Sequence, residues 1–118
     1  MMNNEQYIQL VEMLKQATEK GLLKWELDTS NSVFYTDING CRINLDVYYD
    51  SSLKDNSAML ELFNGDGASF KTFLYTDLME HAEYERLNRL YEKVKDRYYR
   101  ISESEESIIK GLTDLLSK

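Results

Sequence analysis

Two glycines flank an aspartate in the segment LFNGDGASF, residues 62–70, a spacing at which backbone amides can cradle a phosphate or a carboxylate can bind calcium. A phosphate loop normally leads into a helix N-terminus, whereas this one leads into the strand-like segment SFKTFLY. An EF-hand calcium loop needs oxygen ligands at several alternating positions and a distal glutamate, which this segment lacks. Three-residue hairpin loops end in a left-handed residue, and Gly67 stands at that position. We therefore predict that residues 65–67 are a turn.

The single histidine, His81, stands in the acidic segment EHAEYE, residues 80–85. On a helix, His81 and Glu85 would share a face, as metal ligands four residues apart can. A metal site usually needs three or four ligands, however, and the chain has no second histidine. Acidic residues at a helix N-terminus are also favoured by the helix dipole alone. We predict no metal and no cofactor.

A basic segment, RLNRLYEKVKDRYYR at residues 86–100, stands in a chain whose net charge is -7. Tyrosines interleave with its cations, which is typical of surfaces that bind single-stranded nucleic acid. Most of the charges also fall off the apolar stripe, as on any solvated helix face. The alternative function is a nucleic-acid-associated accessory protein, which would use Arg86, Arg89, Lys93, Arg97 and Arg100.

The sequence is also rich in tyrosine, with nine tyrosines in 118 residues. Alternation along the predicted strands places five large side chains on the sheet face opposite Phe34 and Ile43. They are Tyr35, Tyr48, Met59, Phe63 and Phe73. Aromatic residues and methionine are enriched where proteins meet, so this patch is a partner or dimer surface if the helices cover only the other face. If the terminal helices cover both faces, the patch is a second core layer.

The elements that position these residues follow from periodicity. A composition of 42% apolar and 30% charged residues is typical of one globular domain, residues 1–118. Asn3 or Asn4 can cap a first amphipathic helix that ends at Gly21. Helical periodicity returns after Leu74, with Asp77 as the expected N-cap of a long helix. The segment SESEES, beginning at Ser102, is expected to separate this helix from a short terminal one.

Between the helices, Asn39-Gly40 is a strong hairpin signal, because a type I′ turn needs positive φ at both central positions. The resulting register pairs Ile38 with Cys41, Thr36 with Ile43 and Phe34 with Leu45, which places Cys41 on the core side. The same test on the second hairpin pairs Leu62 with Phe70 and Leu60 with Thr72. The predicted core of the sheet is Trp25, Phe34, Ile43, Leu45, Leu60, Leu62 and Phe70. The fold class is α+β, with an N-terminal helix, an antiparallel meander of four or five strands and two C-terminal helices.

Taken in order, a helix ending at Gly21, KWE, VFYTDINGCRINL, MLELFNGDGASF and a helix containing LNRLYEKVK resemble a family of short, uncharacterised bacterial proteins. In that family an N-terminal helix leads through a tryptophan into a small antiparallel meander, and helices close the chain. The resemblance covers most of the chain, and its motifs are structural rather than chemical. It implies a small bacterial cytosolic protein with no established activity, and it carries over no functional residue.

The lone Cys41 allows no internal disulfide, which fits a reducing cytoplasm, and no apolar run is long enough to span a bilayer. No Ser-His-Asp grouping, paired-carboxylate motif or dinucleotide fingerprint appears, so we predict that the protein is not an enzyme. The predicted function is that of a non-catalytic protein-binding or self-associating module, without membrane or cofactor. A homodimer is the simplest arrangement, because one self-complementary patch needs no second protein.

Overall fold

The computed structural model describes residues 2–30 and 32–118. Within these residues the chain forms two helices and five strands: α1 (Asn4–Glu19), β1 (Glu26–Asp28), β2 (Val33–Ile38), β3 (Cys41–Asp50), β4 (Asp55–Phe63), β5 (Ser69–Thr76) and α2 (His81–Leu116). The strands form one antiparallel sheet in the sequential order β1-β2-β3-β4-β5. The α+β class and the antiparallel meander are therefore confirmed, with five strands.

Helix α1 begins where its sequence signals place it. The Asn3 side chain accepts a hydrogen bond from the Gln6 backbone N–H at 2.9 Å, and the Gln6 side chain accepts one from the Asn3 N–H at 2.9 Å. This reciprocal capping box satisfies two donors that the helix cannot satisfy internally. Gly21 follows the helix at φ +70°, a backbone conformation that residues with a side chain rarely adopt, and the guanidinium of Arg97 packs against it.

The hairpin around Asn39-Gly40 has the predicted register at every pair from Phe34–Leu45 to Ile38–Cys41. Asn39 and Gly40 adopt φ values of 53° and 81°, as a type I′ turn requires. Cys41, however, is exposed, and its predicted place in the core is wrong. It lies at the end of the hairpin beside Ile38, which is itself exposed.

The second hairpin turns through the predicted three-residue loop. Gly67 adopts φ +84°, and its N–H donates to the Asn64 carbonyl at 3.0 Å. The Asn64 side chain also accepts hydrogen bonds from the backbone N–H groups of Asp66 and Ala68, each at 3.0 Å. Backbone geometry thus accounts for the residues of this loop, whose composition suggested an anion or calcium site.

Beyond the loop the predicted register is wrong by one residue. A bulge between Leu62 and Phe63 shifts the pairing, so that Leu62 lies opposite Lys71 and Leu60 opposite Phe73. Phe70, predicted in the core, is 59% exposed, whereas Phe73, predicted on the opposite face, is only 8% exposed. Because β5 is an edge strand, it can carry such a bulge without disturbing a further neighbour.

Helix α2 differs most from expectation, because a single helix of 36 residues replaces the two predicted C-terminal helices. Serine and glutamate in SESEES do not stop it: the Ser104 hydroxyl donates to the Arg100 carbonyl inside the helix at 2.9 Å. The N-cap position is Glu80 rather than Asp77, and no side chain caps this end. The Asp77 carboxylate instead contacts the His81 ring.

Both helices pack on the same face of the sheet. The Tyr7 ring of α1 lies 4.5 Å from the ring of Phe73 on β5, and the Phe34 ring on β2 lies 5.6 Å from that of Tyr91 on α2. The alternative in which the helices cover both faces is therefore wrong. The buried hydrophobic residues form one core between this face and the helices: Tyr7, Val11, Leu14, Trp25, Phe34, Ile43, Leu45, Ala58, Leu60, Leu62, Phe73, Tyr84, Leu87, Leu90 and Val94.

Candidate functional site

The face of the sheet away from the helices, here called the open face, holds four of the five residues predicted as a binding patch. Tyr35, Met59 and Phe63 are half-buried there, and Tyr48 is 36% exposed. Phe73 does not belong to it, because the bulge turns that side chain into the core. The bulge places Leu74 opposite Met59 instead, adding an exposed aliphatic side chain to the edge of the face.

Polar groups interrupt the open face. The guanidinium of Arg42 lies 4.3 Å from the centre of the Tyr35 ring, and its Nε is 3.0 Å from an Asp37 carboxylate oxygen. Asp46, paired with Met59, is partly buried, and that burial raises the pKa of its carboxyl group. The aromatic side chains therefore lie among charged neighbours that shield them. The open face offers a mixed surface with little continuous apolar area.

A much more apolar surface lies on α2. Its buried residues end at Val94, although the helix continues to Leu116. Beyond the sheet, large aliphatic side chains follow one side of the helix and are between 47% and 87% exposed. This surface, here called the C-terminal stripe, consists of Ile101, Ile108, Ile109, Leu112, Leu115 and Leu116.

The C-terminal stripe continues the buried face of the same helix. Aliphatic residues recur every seven positions along α2, at Leu87, Val94, Ile101, Ile108 and Leu115. Positions seven apart lie on nearly the same side of a helix, since seven residues make almost two turns. The first half of this face covers the sheet, and the second half extends past it. The seven-residue period, unbroken by proline, is the sequence signal that could have identified one long helix.

A cleft lies where α2 leaves the sheet. It has a volume of about 260 Å³, and its apolar walls are Leu23 and Trp25 on one side and Tyr98 and Ile101 on the other. Polar and charged residues complete the lining: Lys24, Glu26, Arg97, Ser102 and Glu105. Trp25 is fixed by its ring N–H, which donates to the Thr18 hydroxyl at 3.0 Å. The cleft therefore joins the core to the first residue of the C-terminal stripe.

The cations of the predicted nucleic-acid surface lie along α2, mostly beside carboxylates. Arg89 lies 3.7 Å from Glu85, Lys93 3.3 Å from Glu19 and Arg100 3.1 Å from Asp96. Arg97 packs against Gly21, and Arg86 is half-buried. Exposed ion pairs contribute only about 0–1 kcal/mol, so phosphates could displace these carboxylates. The use of these five cations in nucleic-acid binding stays a prediction.

His81 contacts the Asp77 carboxylate, whose oxygen lies 2.6 Å from its Nδ1. This hydrogen bond raises the pKa of His81. Over residues 2–30 and 32–118, no three His, Cys, Asp or Glu side chains are placed to hold a metal ion. No helix in the same ranges has the length and apolarity needed to cross a membrane.

Comparison with protein-family models, with curated proteins and with solved structures finds no significant match to this chain. The candidate site therefore rests on geometry and chemistry alone.

Proposed function

We propose that this protein is a non-catalytic protein-binding module and that the C-terminal stripe is its main binding surface. One observation carries the proposal: six large aliphatic side chains lie on one side of a helix with between 47% and 87% of their surface exposed. Soluble monomers rarely leave so large a continuous apolar patch uncovered unless it binds something. An amphipathic helix of this kind binds by laying its apolar side against a groove or another helix.

The energetics favour a reversible contact. Full burial of an aliphatic side chain is worth about 1.5–3 kcal/mol, and roughly half to nine-tenths of that remains available at each stripe position. The sum is on the order of 10 kcal/mol, which is similar to the roughly 4–15 kcal/mol that association costs in lost motion. We therefore expect binding of moderate affinity, which suits a partner that binds reversibly.

The open face is the weaker candidate surface. Its residues Tyr35, Met59 and Phe63 are half-buried by their neighbours, and Arg42 and Asp46 would have to lose water on binding. The C-terminal stripe has one charged residue, Glu105, along its length. The difference in desolvation cost supports the C-terminal stripe over the open face.

The cytoplasmic location and the relation to short bacterial proteins of unknown activity belong to the same proposal. The lone exposed Cys41 suits a reducing compartment, because an oxidising one favours paired cysteines. The relation to those bacterial proteins rests on the sequence resemblance, in which helices close the chain, whereas here the single helix α2 does so.

A capture experiment tests the proposal. The tagged full chain is incubated with an extract of the cells from which it comes, and bound proteins are compared with those captured by Leu112→Lys. The matched control is Ser107→Lys, which adds the same charge to an exposed position of α2 outside the C-terminal stripe. We expect Leu112→Lys to lose bound protein that Ser107→Lys retains. Identical capture by all three proteins would refute the assignment of the surface.

A further inference from the structure

We infer that the C-terminal stripe pairs with the same stripe of a second copy of this chain and that the two helices run antiparallel. The inference rests on the proposed function and names its partner. Its starting point is the continuity of α2: the side that covers the sheet at Leu87 and Val94 is the side that is exposed from Ile101 onward.

This continuity excludes a parallel pair. If two straight copies of α2 met stripe to stripe in the same direction, the first half of the second helix would lie alongside Leu87 and Val94. That space is occupied by the first copy's own sheet, since both residues are fully buried there. An antiparallel helix avoids the clash, because its first half and its sheet lie beyond Leu116 of the first copy.

The lengths of the free surfaces then set the alignment. The accessible part of the stripe side runs from Tyr98 to Leu116, which is about 27 Å of helix. Two such segments overlap almost completely if they cross between residues 106 and 107. Ile101 then lies opposite the second copy's Leu112, and Ile108 opposite the second copy's Glu105.

The same alignment accounts for the cleft. It brings the second copy's Leu115 and Leu116 beside Tyr98, at the mouth of the cleft lined by Trp25 and Ile101. Leu116 is 87% exposed in the single chain, so it gains most from contact with the apolar walls of the cleft, Leu23 and Trp25. Charged residues, among them Lys24 and Arg97, line the rest of the cleft. A two-fold axis fills both clefts at once and closes the assembly at two copies. An unrelated helix could cover the stripe, but covering the stripe would not by itself place its side chains in the cleft.

Glu105 sets the strength of the pair. It lies between Ile101 and Ile108 along the stripe, at a position where a coiled coil normally has an apolar residue. A single polar residue there lowers the stability of the pair while limiting which alignments are allowed. In a parallel pair Glu105 would lie opposite Glu105 of the second copy. In the antiparallel alignment each Glu105 lies opposite an isoleucine, Ile108 of the other copy.

The first experiment measures the mass of the purified full chain by sedimentation, from about 1 µM to about 1 mM, a range that covers moderate affinities. We expect a monomer–dimer equilibrium that Leu112→Lys weakens at least tenfold and Ser107→Lys leaves unchanged. Glu105→Leu should strengthen it at least tenfold, because it removes the buried charge. Circular dichroism of each variant serves as the control that the helix is retained. A monomer over the whole range, or a dimer that Leu112→Lys leaves intact, overturns the inference.

The second experiment fixes the direction. In a Cys41→Ser background, one protein carries Ile101→Cys and another, of different mass, carries Leu112→Cys. Disulfides need Cα atoms within about 7 Å, so an antiparallel pair joins the two different proteins when they are mixed and oxidised. Disulfides formed mainly between identical proteins would overturn the antiparallel arrangement.

The two proposals fail in different ways. A purified chain that stays monomeric, yet captures another protein in a manner that Leu112→Lys abolishes, refutes self-pairing and leaves the binding module standing. A chain that neither dimerises nor shows capture dependent on Leu112 refutes both.

Discussion

Replacement of Trp25 is expected to be among the most destabilising single changes in this chain. The indole is 6% exposed, and it joins α1 to the start of the sheet through the hydrogen bond to Thr18. Removal of a buried tryptophan side chain typically costs about 3–5 kcal/mol. A domain of this length has roughly 6–18 kcal/mol of stability, so Trp25→Ala should remove between a sixth and most of it.

The hydrogen bond can be separated from the packing by two further variants. Trp25→Phe keeps an aromatic ring but loses the N–H donor, and Thr18→Val removes the hydroxyl that accepts it. The Thr18 hydroxyl also donates to the Leu14 carbonyl at 2.7 Å, so its loss leaves the buried indole N–H without this acceptor. We expect each change to cost about 1–3 kcal/mol and the double variant to cost less than their sum.

Urea unfolding followed by circular dichroism gives these free energies, because Trp25 is the only tryptophan and its variants lose the fluorescent probe. Dilute protein keeps the proposed dimerisation out of the measurement. In the unmodified protein the fluorescence of Trp25 should be that of a buried indole. Emission typical of water-exposed tryptophan, or a loss below about 1 kcal/mol for Trp25→Ala, would show that the packing of α1 against the sheet is wrong.

Three further predictions concern single positions. Gly67→Val should cost about 1–2 kcal/mol in urea unfolding because a β-branched residue resists positive φ, whereas Asp66→Ala should change stability by less than about 0.5 kcal/mol. Burial raises the pKa of Asp46 in the folded state above its value in the unfolded state, so the ionised carboxylate destabilises the fold at pH values above the folded-state pKa. At pH values below both pKa values the group is protonated in both states, and this destabilisation is absent. Asp46→Asn should therefore raise the melting temperature at neutral pH and have no such effect in acid. Finally, Tyr48→Ser and Phe63→Ser on the open face should leave the sedimentation of the dimer unchanged; dissociation would show that the open face is the contact.

The fold was predictable wherever a local signal and the burial pattern agree. Asn39-Gly40 prescribes a turn geometry, and the resulting pairs place Phe34 and Leu45 on one buried face. Asn3 and Gln6 likewise define a helix start through a bond between neighbours in sequence. Such features depend on a few residues close together in the sequence, so the sequence alone is enough to predict them.

The register of the second hairpin could not be predicted in this way. The loop at 65–67 is compatible with the predicted pairing and with the bulged one, and the choice depends on a contact with a distant residue. Phe73 gains a ring contact with Tyr7 only when the bulge turns it toward α1. Lys71 can lie on the core side of β5 because its ammonium group remains near the edge of the sheet, 5.2 Å from the centre of the Phe73 ring. The predicted binding patch lost Phe73 for the same reason.

The proposed binding surface could not be predicted because SESEES was expected to end the long helix. SESEES contains a start signal, Ser102 with Glu105 three residues on, but a start signal matters only where the preceding turn has ended. Here the turn before Ser102 is part of a helix already anchored by Leu90 and Val94. Extending that helix incurs no new nucleation cost, whereas a break would incur one.

That continuity decides what the C-terminal residues can do. As a separate short helix, residues 108–116 could fold back and bury their aliphatic side chains against the domain. As the extension of α2 they are carried away from the sheet, since about 1.5 Å of rise per residue places Leu116 roughly 33 Å beyond Val94. The chain therefore cannot cover its own C-terminal stripe without breaking the helix. A second molecule can cover it without such a break, and this is the physical basis of the proposed binding function.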